Sequence, residues 1–248
     1  ITTYSSNKME NSFEITSTGL IRVPTLDNAK PIVPCNAHSS DQVNMLDDIL
    51  ASRVEEAGPG TRAAVAVAAR FLTLEFPYKV PYFYENGRMT ENGLQAIIEG
   101  EGRYYKKGLY LGKDKENEMT KVVAGPSSWG CPLLNYEDDG YRKPGEYYPN
   151  GFDCSGYVCW VVTQSGFKNL PRTTAQGIYN QCTPISKSEA KAGDLIFFTR
   201  TYNSGTAVTH VGIYCGENIM VHCGDPIKYS NISSPYWSSH FYGFGRLN

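Results

Sequence analysis

The sequence lacks a long hydrophobic run and an excess of charge of either sign. In the first half of its 248 residues, the longest uninterrupted apolar stretch is the seven residues 63–69, whereas a helix that crosses a membrane needs about 20. Neither a transmembrane helix nor a secretory signal sequence is therefore predicted in this chain. The net charge of −2 comes from 23 Lys and Arg against 25 Asp and Glu, so nothing indicates a basic surface for nucleic acid.

Cysteines are few for the chain length and lack the spacing of a structural metal site. Seven are present, none in a CxxC pair, so a structural zinc site is not expected. An odd number leaves at least one thiol unpaired unless the protein forms an intermolecular bridge. Cys215 and Cys223 should lie about 10 Å apart on one hairpin, too far for a disulfide. We expect these two and Cys159 to pack in the core, and leave open the pairing of Cys35, Cys131 and Cys182.

The chain before residue 152 is predicted to contain two helices and a long loop-rich segment. Residues 1–60 are interpreted as an N-terminal extension of strands plus a helix, of unassigned role. Residues 61–76 are rich in Ala and apolar on nearly every side, which predicts a buried helix. Residues 86–150 contain many glycines and tyrosines, which favours a loop-rich insertion.

From Phe152 onward the hydrophobic pattern changes from helical to alternating. Residues 154–165 are apolar around most of a helix and are followed by Gly166, a natural C-terminal cap. A shorter helix is predicted at residues 173–182. Alternating apolar residues then predict strands at residues 195–199, 210–215, 219–223 and 241–246. Helices followed by strands favour an α+β fold.

Cys154 lies where the buried helix should begin, in the segment FDCSG, with Asp153 available as N-cap. The positive end of a helix lowers the pKa of a thiol and favours the nucleophilic thiolate. The same backbone N–H groups can hold the oxyanion that forms after attack on a carbonyl. The alternative is a buried, inert cysteine.

Two of the four histidines, His210 and His222, lie on the two strands of a predicted hairpin. A tight turn would pair His222 with Ile213, and a one-residue adjustment in the turn would bring it beside His210 on a shared face. A cysteine, a histidine and a third polar group that orients the histidine form the minimal apparatus of thiol catalysis. Alternatively, His222 is a packed histidine, with Asp225 or Asn218 as the orienting residue.

Four blocks of the last hundred residues carry a resemblance to a known family. FDCSG, LPRTTAQ, AGDLIFF and HVGIYCGENIMVHC occur in this order between residues 152 and 223, and together they resemble the NlpC family of bacterial cell-wall cysteine peptidases. The resemblance implies a papain-like α+β fold over residues 61–248, interrupted by the insertion at about 86–150. In that fold, a buried N-terminal helix that carries the cysteine packs on a small antiparallel sheet.

The resemblance also implies residue roles: Cys154 as nucleophile, His210 as general base and His222 as the residue that orients it. It implies substrate binding by Asp153, Ser155, Thr173 or Thr174, and Tyr82 of a Pro-Tyr segment. A second candidate for that segment, residues 125–131, has Ser in place of the Tyr. Arg172 is predicted to form a structural ion pair. Gln176 is predicted to contact an oxyanion, packing neighbours or the substrate. No metal or organic cofactor is implied.

The implied reaction is cleavage of the γ-D-glutamyl–diamino-acid bond of peptidoglycan stem peptides, through a thiolate and an acyl-enzyme. The implied partner is the muropeptide, and the implied location is the bacterial cell wall or the extracellular space. Alternatives are an N-acetylmuramoyl-L-alanine amidase and a transglutaminase-like acyl transferase, which prefers Asp as third residue. A wall-binding module without activity and a Cys/His metal site are further alternatives.

Overall fold

The computed structural model describes residues 3–4, 13–14, 40–76, 80, 82, 132–134, 138, 144, 147–149, 152–224 and 227–248. Most of the predicted extension and insertion lies outside these residues, as do Cys35, Cys131, Asp225 and residues 125–131. Two short antiparallel pairs precede the main sheet in the chain: β1 (Thr3–Tyr4) with β2 (Phe13–Glu14), and β3 (Pro132–Leu134) with β4 (Tyr147–Pro149).

A six-stranded antiparallel sheet forms the centre of the C-terminal part. Its spatial order is β5-β10-β6-β7-β8-β9. The strands are β5 (Cys182–Ile185), β6 (Leu195–Phe198), β7 (His210–Gly216), β8 (Ile219–Cys223), β9 (Ile227–Asn231) and β10 (Phe241–Leu247). The strands predicted at 195–199, 210–215, 219–223 and 241–246 are confirmed within a residue at each end, whereas β5 and β9 were not predicted.

The helices of the described residues are α1 (Ser40–Ala57), α2 (Arg62–Leu74), α3 (Cys154–Gln164), α4 (Ala175–Tyr179) and α5 (Pro235–His240). Helix α3 lies against β7 and β8, α2 packs on α3 and the sheet, and α1 packs on α2. Since a helix that carries the cysteine packs on an antiparallel sheet, the predicted α+β, papain-like fold is confirmed. The division into an extension, residues 1–60, and a peptidase domain, residues 61–248, stays a prediction.

Helix α3 begins and ends where its sequence supplies capping residues. Asp153 has an extended backbone and its side chain accepts a hydrogen bond from the Gly156 N–H at 2.8 Å, as an N-cap does. At the other end, Gly166 has a φ of +71°, which a residue without a Cβ adopts at no steric cost. The first nine residues of the helix are all buried, because α2 covers one side of it and the sheet the other.

The sheet separates two apolar clusters. The larger one lies on the face that carries α2 and α3, and alternate residues of β7 and β8, including Val211, Ile213 and Val221, point into it. The smaller one, on the opposite face, is formed by Phe198, Tyr214 and neighbours. The cysteines predicted to be core residues lie within the larger cluster, which confirms their packing role: Cys159, Cys215 and Cys223.

Candidate active site

A cavity of about 770 Å³ opens at the N-terminal end of α3. Its wall includes all eight residues predicted to act in catalysis or substrate binding: Tyr82, Asp153, Cys154, Ser155, Thr173, Thr174, His210 and His222. They come from distant parts of the chain. Tyr82 reaches the cavity through a parallel bridge to Phe152, the two threonines precede α4, and the histidines lie on β7 and β8.

The Cys154 thiol is the first side chain of α3 and is 7% exposed. Its Sγ lies 3.9 Å from the Thr209 carbonyl oxygen, directly before His210 in β7. The backbone N–H groups of Val211 and Ser155 favour its thiolate form. The sulfur therefore sits between the start of the helix and the start of the strand that carries the predicted base.

The expectation that the helix terminus lowers the pKa of Cys154 is wrong for this closed arrangement. Burial raises the pKa of the thiol to about 12, and the neighbouring Asp153 carboxylate raises it further. Desolvation of the thiolate outweighs the helix terminus because the sulfur has little contact with water. At neutral pH the group is therefore a thiol.

The register of the β7–β8 hairpin brings the two histidines together. Ile213 pairs with Val221, and the register then shifts between Tyr214 and Gly216. This irregularity is the one-residue adjustment that the sequence left open. His210 and His222 consequently share a face, and His210 Nε2 lies 2.9 Å from His222 Nδ1.

Gly212 makes room for His222 on that face. A Cβ at position 212 would lie 3.0 Å from Met220 Sδ and 3.1 Å from His222 Cβ, both closer than ordinary van der Waals contact. The absence of a side chain between the two histidines on their shared face therefore permits their contact.

Both histidines are held in the neutral state by burial. His210 is 8% exposed and His222 is 1% exposed, and burial lowers the pKa of His210 to about 4. Burial also lowers the pKa of His222 far below its ordinary value, helped by the nearby His210 and Lys228. A neutral imidazole is the form that can accept the proton of a thiol.

Trp237 of α5 packs against both imidazole rings. Its ring stacks on His210 with the centroids 5.2 Å apart and the planes inclined by 26°, and it meets His222 at 5.0 Å and 79°. Trp237 also lines the cavity. It thus shields the histidine pair from water and limits the rotation of both rings.

Asp153 shares its two carboxylate oxygens between the helix and Arg172. Oδ1 accepts from Gly156 N–H and from the Ser155 hydroxyl at 3.2 Å, and Oδ2 is paired with the Arg172 guanidinium. Arg172 also donates to Ser155 Oγ at 3.0 Å and to the Thr173 carbonyl oxygen. The prediction that Arg172 forms an ion pair is confirmed, and the pair lies in the cavity wall.

The polar side chains at the start of α4 bond to nearby groups of the protein. Thr174 Oγ1 caps α4 by accepting from the Gly177 N–H at 3.0 Å. Gln176 Oε1 accepts from the Val208 N–H at 3.0 Å, and its amide donates to Asn180. Gln176 is thus held by hydrogen bonds within the protein, and its contact with an oxyanion or a substrate stays a prediction.

Residues 137–246, which span α3, the histidine hairpin and the six-stranded sheet, match the NlpC/P60 family. This part of the chain belongs to the NlpC/P60 family. The resemblance found in the four sequence blocks is thereby confirmed, and Cys154, His210 and His222 all fall inside the NlpC/P60 domain.

Known relatives of the NlpC/P60 domain are named as endopeptidases. The bifunctional muramidase/DL-endopeptidase CwlT of Bacillus subtilis (strain 168) is 46% identical over 115 residues, which are 46% of this chain and 34% of that protein. The murein DD-endopeptidase MepH of Escherichia coli (strain K12) is 38% identical over 140 residues, 54% of this chain and 48% of that protein. This chain thus spans less than half the length of either relative.

A solved NLP/P60 family structure from Staphylococcus aureus, described as similar to lipoprotein, is 26% identical. The alignment covers 82% of this chain and 75% of that one, with a TM-score of 0.38.

Three residues that surround His222 were not identified from the sequence. Ser230 accepts or donates a hydrogen bond at 2.9 Å to His222 Nε2, while Lys228 and Trp237 line the cavity. Alternation along residues 227–231 would have placed Lys228 and Ser230 on one face, had the strand been recognised. Trp237 carries no such signal, because its short helix has no apolar periodicity.

Five cysteines among the described residues are free thiols: Cys154, Cys159, Cys182, Cys215 and Cys223. The described part of the chain contains no cluster of three or more His, Cys, Asp or Glu suited to a metal ion. Among the helices described, none has the length and apolarity needed to cross a bilayer.

Proposed function

We propose that this protein is a peptidoglycan hydrolase, a cysteine endopeptidase that cleaves the γ-D-glutamyl–diamino-acid bond of stem peptides. The observation that carries the proposal is the joint placement of Cys154, His210 and His222 on one cavity, with the two imidazole rings in hydrogen-bond contact. The printed names of the relatives support peptidoglycan as substrate, and the name of CwlT supports the DL bond. Such an enzyme acts at the bacterial cell wall or outside the cell.

The reaction begins from a neutral thiol and a neutral imidazole. His210 Nε2 is occupied by His222, which leaves Nδ1 as the nitrogen available to Cys154. As Sγ attacks the γ-glutamyl carbonyl carbon, its proton passes to His210 Nδ1, and the imidazolium that forms is stabilised through Nε2–H by His222 Nδ1. His210 then protonates the leaving amine of the diamino acid, and water hydrolyses the thioester.

The start of α3 supplies donors for the oxyanion. Asp153 already accepts from the N–H groups of Gly156 and Tyr157, so the two preceding N–H groups, of Cys154 and Ser155, are the ones closest to the nucleophile. Preorganised backbone donors of this kind stabilise developing charge by about 3–4 kcal/mol each.

The Asp153 and Arg172 pair supports a role in substrate binding for this part of the wall. A substrate amine that binds Asp153 must share or displace the Arg172 guanidinium on Oδ2. Tyr82, Ser155, Thr173 and Thr174 surround the same end of the cavity, where hydroxyl groups can bind the peptide groups of a short stem peptide.

The proposal is tested by digestion of purified muropeptides followed by mass spectrometry. We expect the wild-type protein to release products cut after D-glutamate, and Cys154→Ala to lower the rate by more than about 1,000-fold, since only the thiol forms the acyl-enzyme. Circular dichroism should show that the variant keeps its fold.

Cys159→Ala is the matched control, because Cys159 is a buried free thiol on the same helix and should retain activity. Cleavage by Cys154→Ala would overturn the assignment of the nucleophile. Products cut between sugar and peptide, or at a DD cross-link as the name of MepH describes, would overturn the assignment of the bond.

A further inference from the structure

The hydrogen-bonded series that starts at His210 does not end at His222. His222 is 1% exposed, and its second ring nitrogen, Nε2, lies 2.9 Å from Ser230 Oγ on the neighbouring strand β9. A buried ring nitrogen needs such a partner, because water cannot replace it. Ser230 is thus the last member of a series of three side chains behind the thiol.

The strand register explains why Ser230 reaches His222. In the β8–β9 pair, His222 lies opposite Lys228 and Met220 lies opposite Ser230. Side chains of one strand alternate between the two faces of the sheet, so Ser230 and Lys228 share the face of His222. Ser230 is its diagonal neighbour, at a separation that a short polar side chain can bridge.

Counting protons along the series leaves one productive arrangement. A neutral imidazole carries one N–H, and His210 Nδ1 must be free of hydrogen to accept the thiol proton. Its single hydrogen is then on Nε2 and is donated to His222 Nδ1. The hydrogen of His222 is therefore on its own Nε2, directed at Ser230 Oγ. The reverse arrangement would place a hydrogen on His210 Nδ1, which could then accept no proton.

We propose that Ser230 is a positioning residue of this site, whose hydroxyl oxygen accepts the Nε2 proton of His222 and so stabilises the tautomers of both histidines that leave His210 Nδ1 basic. This inference rests on the proposed cysteine-peptidase function. During attack one proton moves from Cys154 Sγ to His210 Nδ1, and the two hydrogens behind it stay on their nitrogens.

The charged and polar groups around His222 agree with this arrangement. It is faced by His210 from β7, by Lys228 and Ser230 from β9, and by Trp237 from α5. The Lys228 ammonium opposes a second positive charge on His222. The proton taken from the thiol therefore remains on His210, and Ser230 needs only to accept a hydrogen bond from a neutral ring.

The first test compares Ser230→Ala with Ser230→Thr. Alanine leaves the buried N–H of His222 without its acceptor, and we expect kcat on muropeptides to fall about tenfold or more with KM little changed. Threonine keeps the hydroxyl and should restore most of the lost rate. Ser233→Ala, an exposed serine close by in the chain, should match the wild type.

The second test uses ¹⁵N-histidine NMR, which distinguishes protonated from bare ring nitrogens without any substrate. The chain has four histidines, so His210 and His222 can be assigned from their asparagine variants. We expect both to be protonated on Nε2 in the wild-type protein at pH 7, and Ser230→Ala to mix the tautomers. Protonation of wild-type His222 on Nδ1, or wild-type kcat in Ser230→Ala, would overturn the proposal.

A third measurement separates this proposal from the proposed function. Iodoacetamide alkylates Cys154 without any substrate, and peptide mass mapping gives the alkylation rate of this residue at each pH. That rate reports on the thiol and its base alone. If the wild-type protein cleaves no muropeptide while Ser230→Ala still slows alkylation and mixes the tautomers, the substrate is wrong and the positioning role stands. If cleavage occurs and Ser230→Ala changes none of the readouts, the positioning role is wrong and the function stands.

Discussion

Three ionisable side chains of the site, Cys154, His210 and His222, are buried, and burial opposes the charged form of each. A neutral thiol and a neutral imidazole carry no net charge that their buried surroundings would have to solvate. In the proposed reaction, charge separation arises only during attack, where the N–H groups of α3 and the histidine pair can stabilise it.

The neutral His210 makes the stability of the fold depend on pH. Its pKa is about 4 in the folded protein, against an ordinary value of 6.5, so between these values the unfolded chain binds a proton that the folded chain does not. The free energy of unfolding should therefore fall as the pH falls from about 6.5 to about 4, by on the order of 3 kcal/mol for this residue.

Urea denaturation at several pH values, comparing wild type with His210→Gln, measures this contribution. Between pH 6.5 and about pH 4, the free energy of unfolding should fall less for the variant than for the wild type. His240→Gln is the matched substitution for comparison, because His240 is only half-buried. Equal slopes for His210→Gln and wild type would contradict the prediction.

At the scale of elements, the β7–β8 hairpin depends on a residue without a side chain, Gly212, on the face that the two histidines share. Gly212→Ala would press a Cβ against Met220 Sδ and His222 Cβ, and the neighbours would have to move by a few tenths of an ångström. We expect kcat to fall on the order of tenfold through misplaced imidazoles, and the free energy of unfolding to fall by about 1–3 kcal/mol.

Gly243→Ala provides the comparison for this substitution. Gly243 lies on β10 of the same sheet, and a Cβ there would meet no atom within 4 Å. Its kinetics and urea midpoint should equal those of the wild type. If Gly212→Ala also behaved like the wild type, the contact between the histidines would not depend on the open position.

The elements that hold Cys154 and the two histidines were predictable because their patterns are local. Asp153 and Gly166 mark the ends of α3, and strict alternation marks β7 and β8. The register of the hairpin was not predictable, since the shift between Tyr214 and Gly216 depends on how the turn closes. Glu217 and Asn218 adopt positive φ values of 51° and 62°. Their residue types permit this conformation but do not predict it.

The elements that escaped prediction are those stabilised by distant contacts. Strand β9 has a mixed pattern of Lys, Ser and Asn, and its pairing with β8 supplies its order. Helix α5 is short, begins with a proline and has no buried residue, and the stacking of Trp237 on the histidines holds it in place. The raised pKa of Cys154 also depends on tertiary burial, which the position of a residue along one helix does not reveal.

At the scale of the whole molecule, the core extends beyond the segment that matches the family. Helix α1 packs on α2, and α2 on α3, so Leu46, Leu50 and Val54 belong to the same apolar cluster as the helix that carries Cys154. A fragment limited to residues 137–246 would expose the face of α3 and the sheet that α2 now covers, and apolar surface of that extent favours association.

Leu50→Ala tests the contribution of α1 to this core. Leu50 is 2% exposed, and its truncation should lower the free energy of unfolding by about 2–5 kcal/mol. The activity per folded molecule should not change, because the residue is far from the cavity wall. Urea denaturation and muropeptide kinetics measure the two quantities separately.

Met45→Ala is the matched control on the same helix. Met45 is 55% exposed, so its truncation removes little buried surface and should change stability by less than about 0.5 kcal/mol. Similar losses in the two variants would contradict the docking of α1 through its Leu50 face.

The extra residue at Cys215 couples the spacing of the two histidines to the shape of the hairpin. In a regular hairpin with the same turn, Cys215 would pair with Met220 and His222 would lie opposite Ile213, on the face away from His210. The shift between Tyr214 and Gly216 places His222 opposite Gly212 instead, so the separation of 12 positions between the histidines needs the irregularity. Homologues that lack the extra residue and keep the same turn should therefore separate the two histidines by one position fewer.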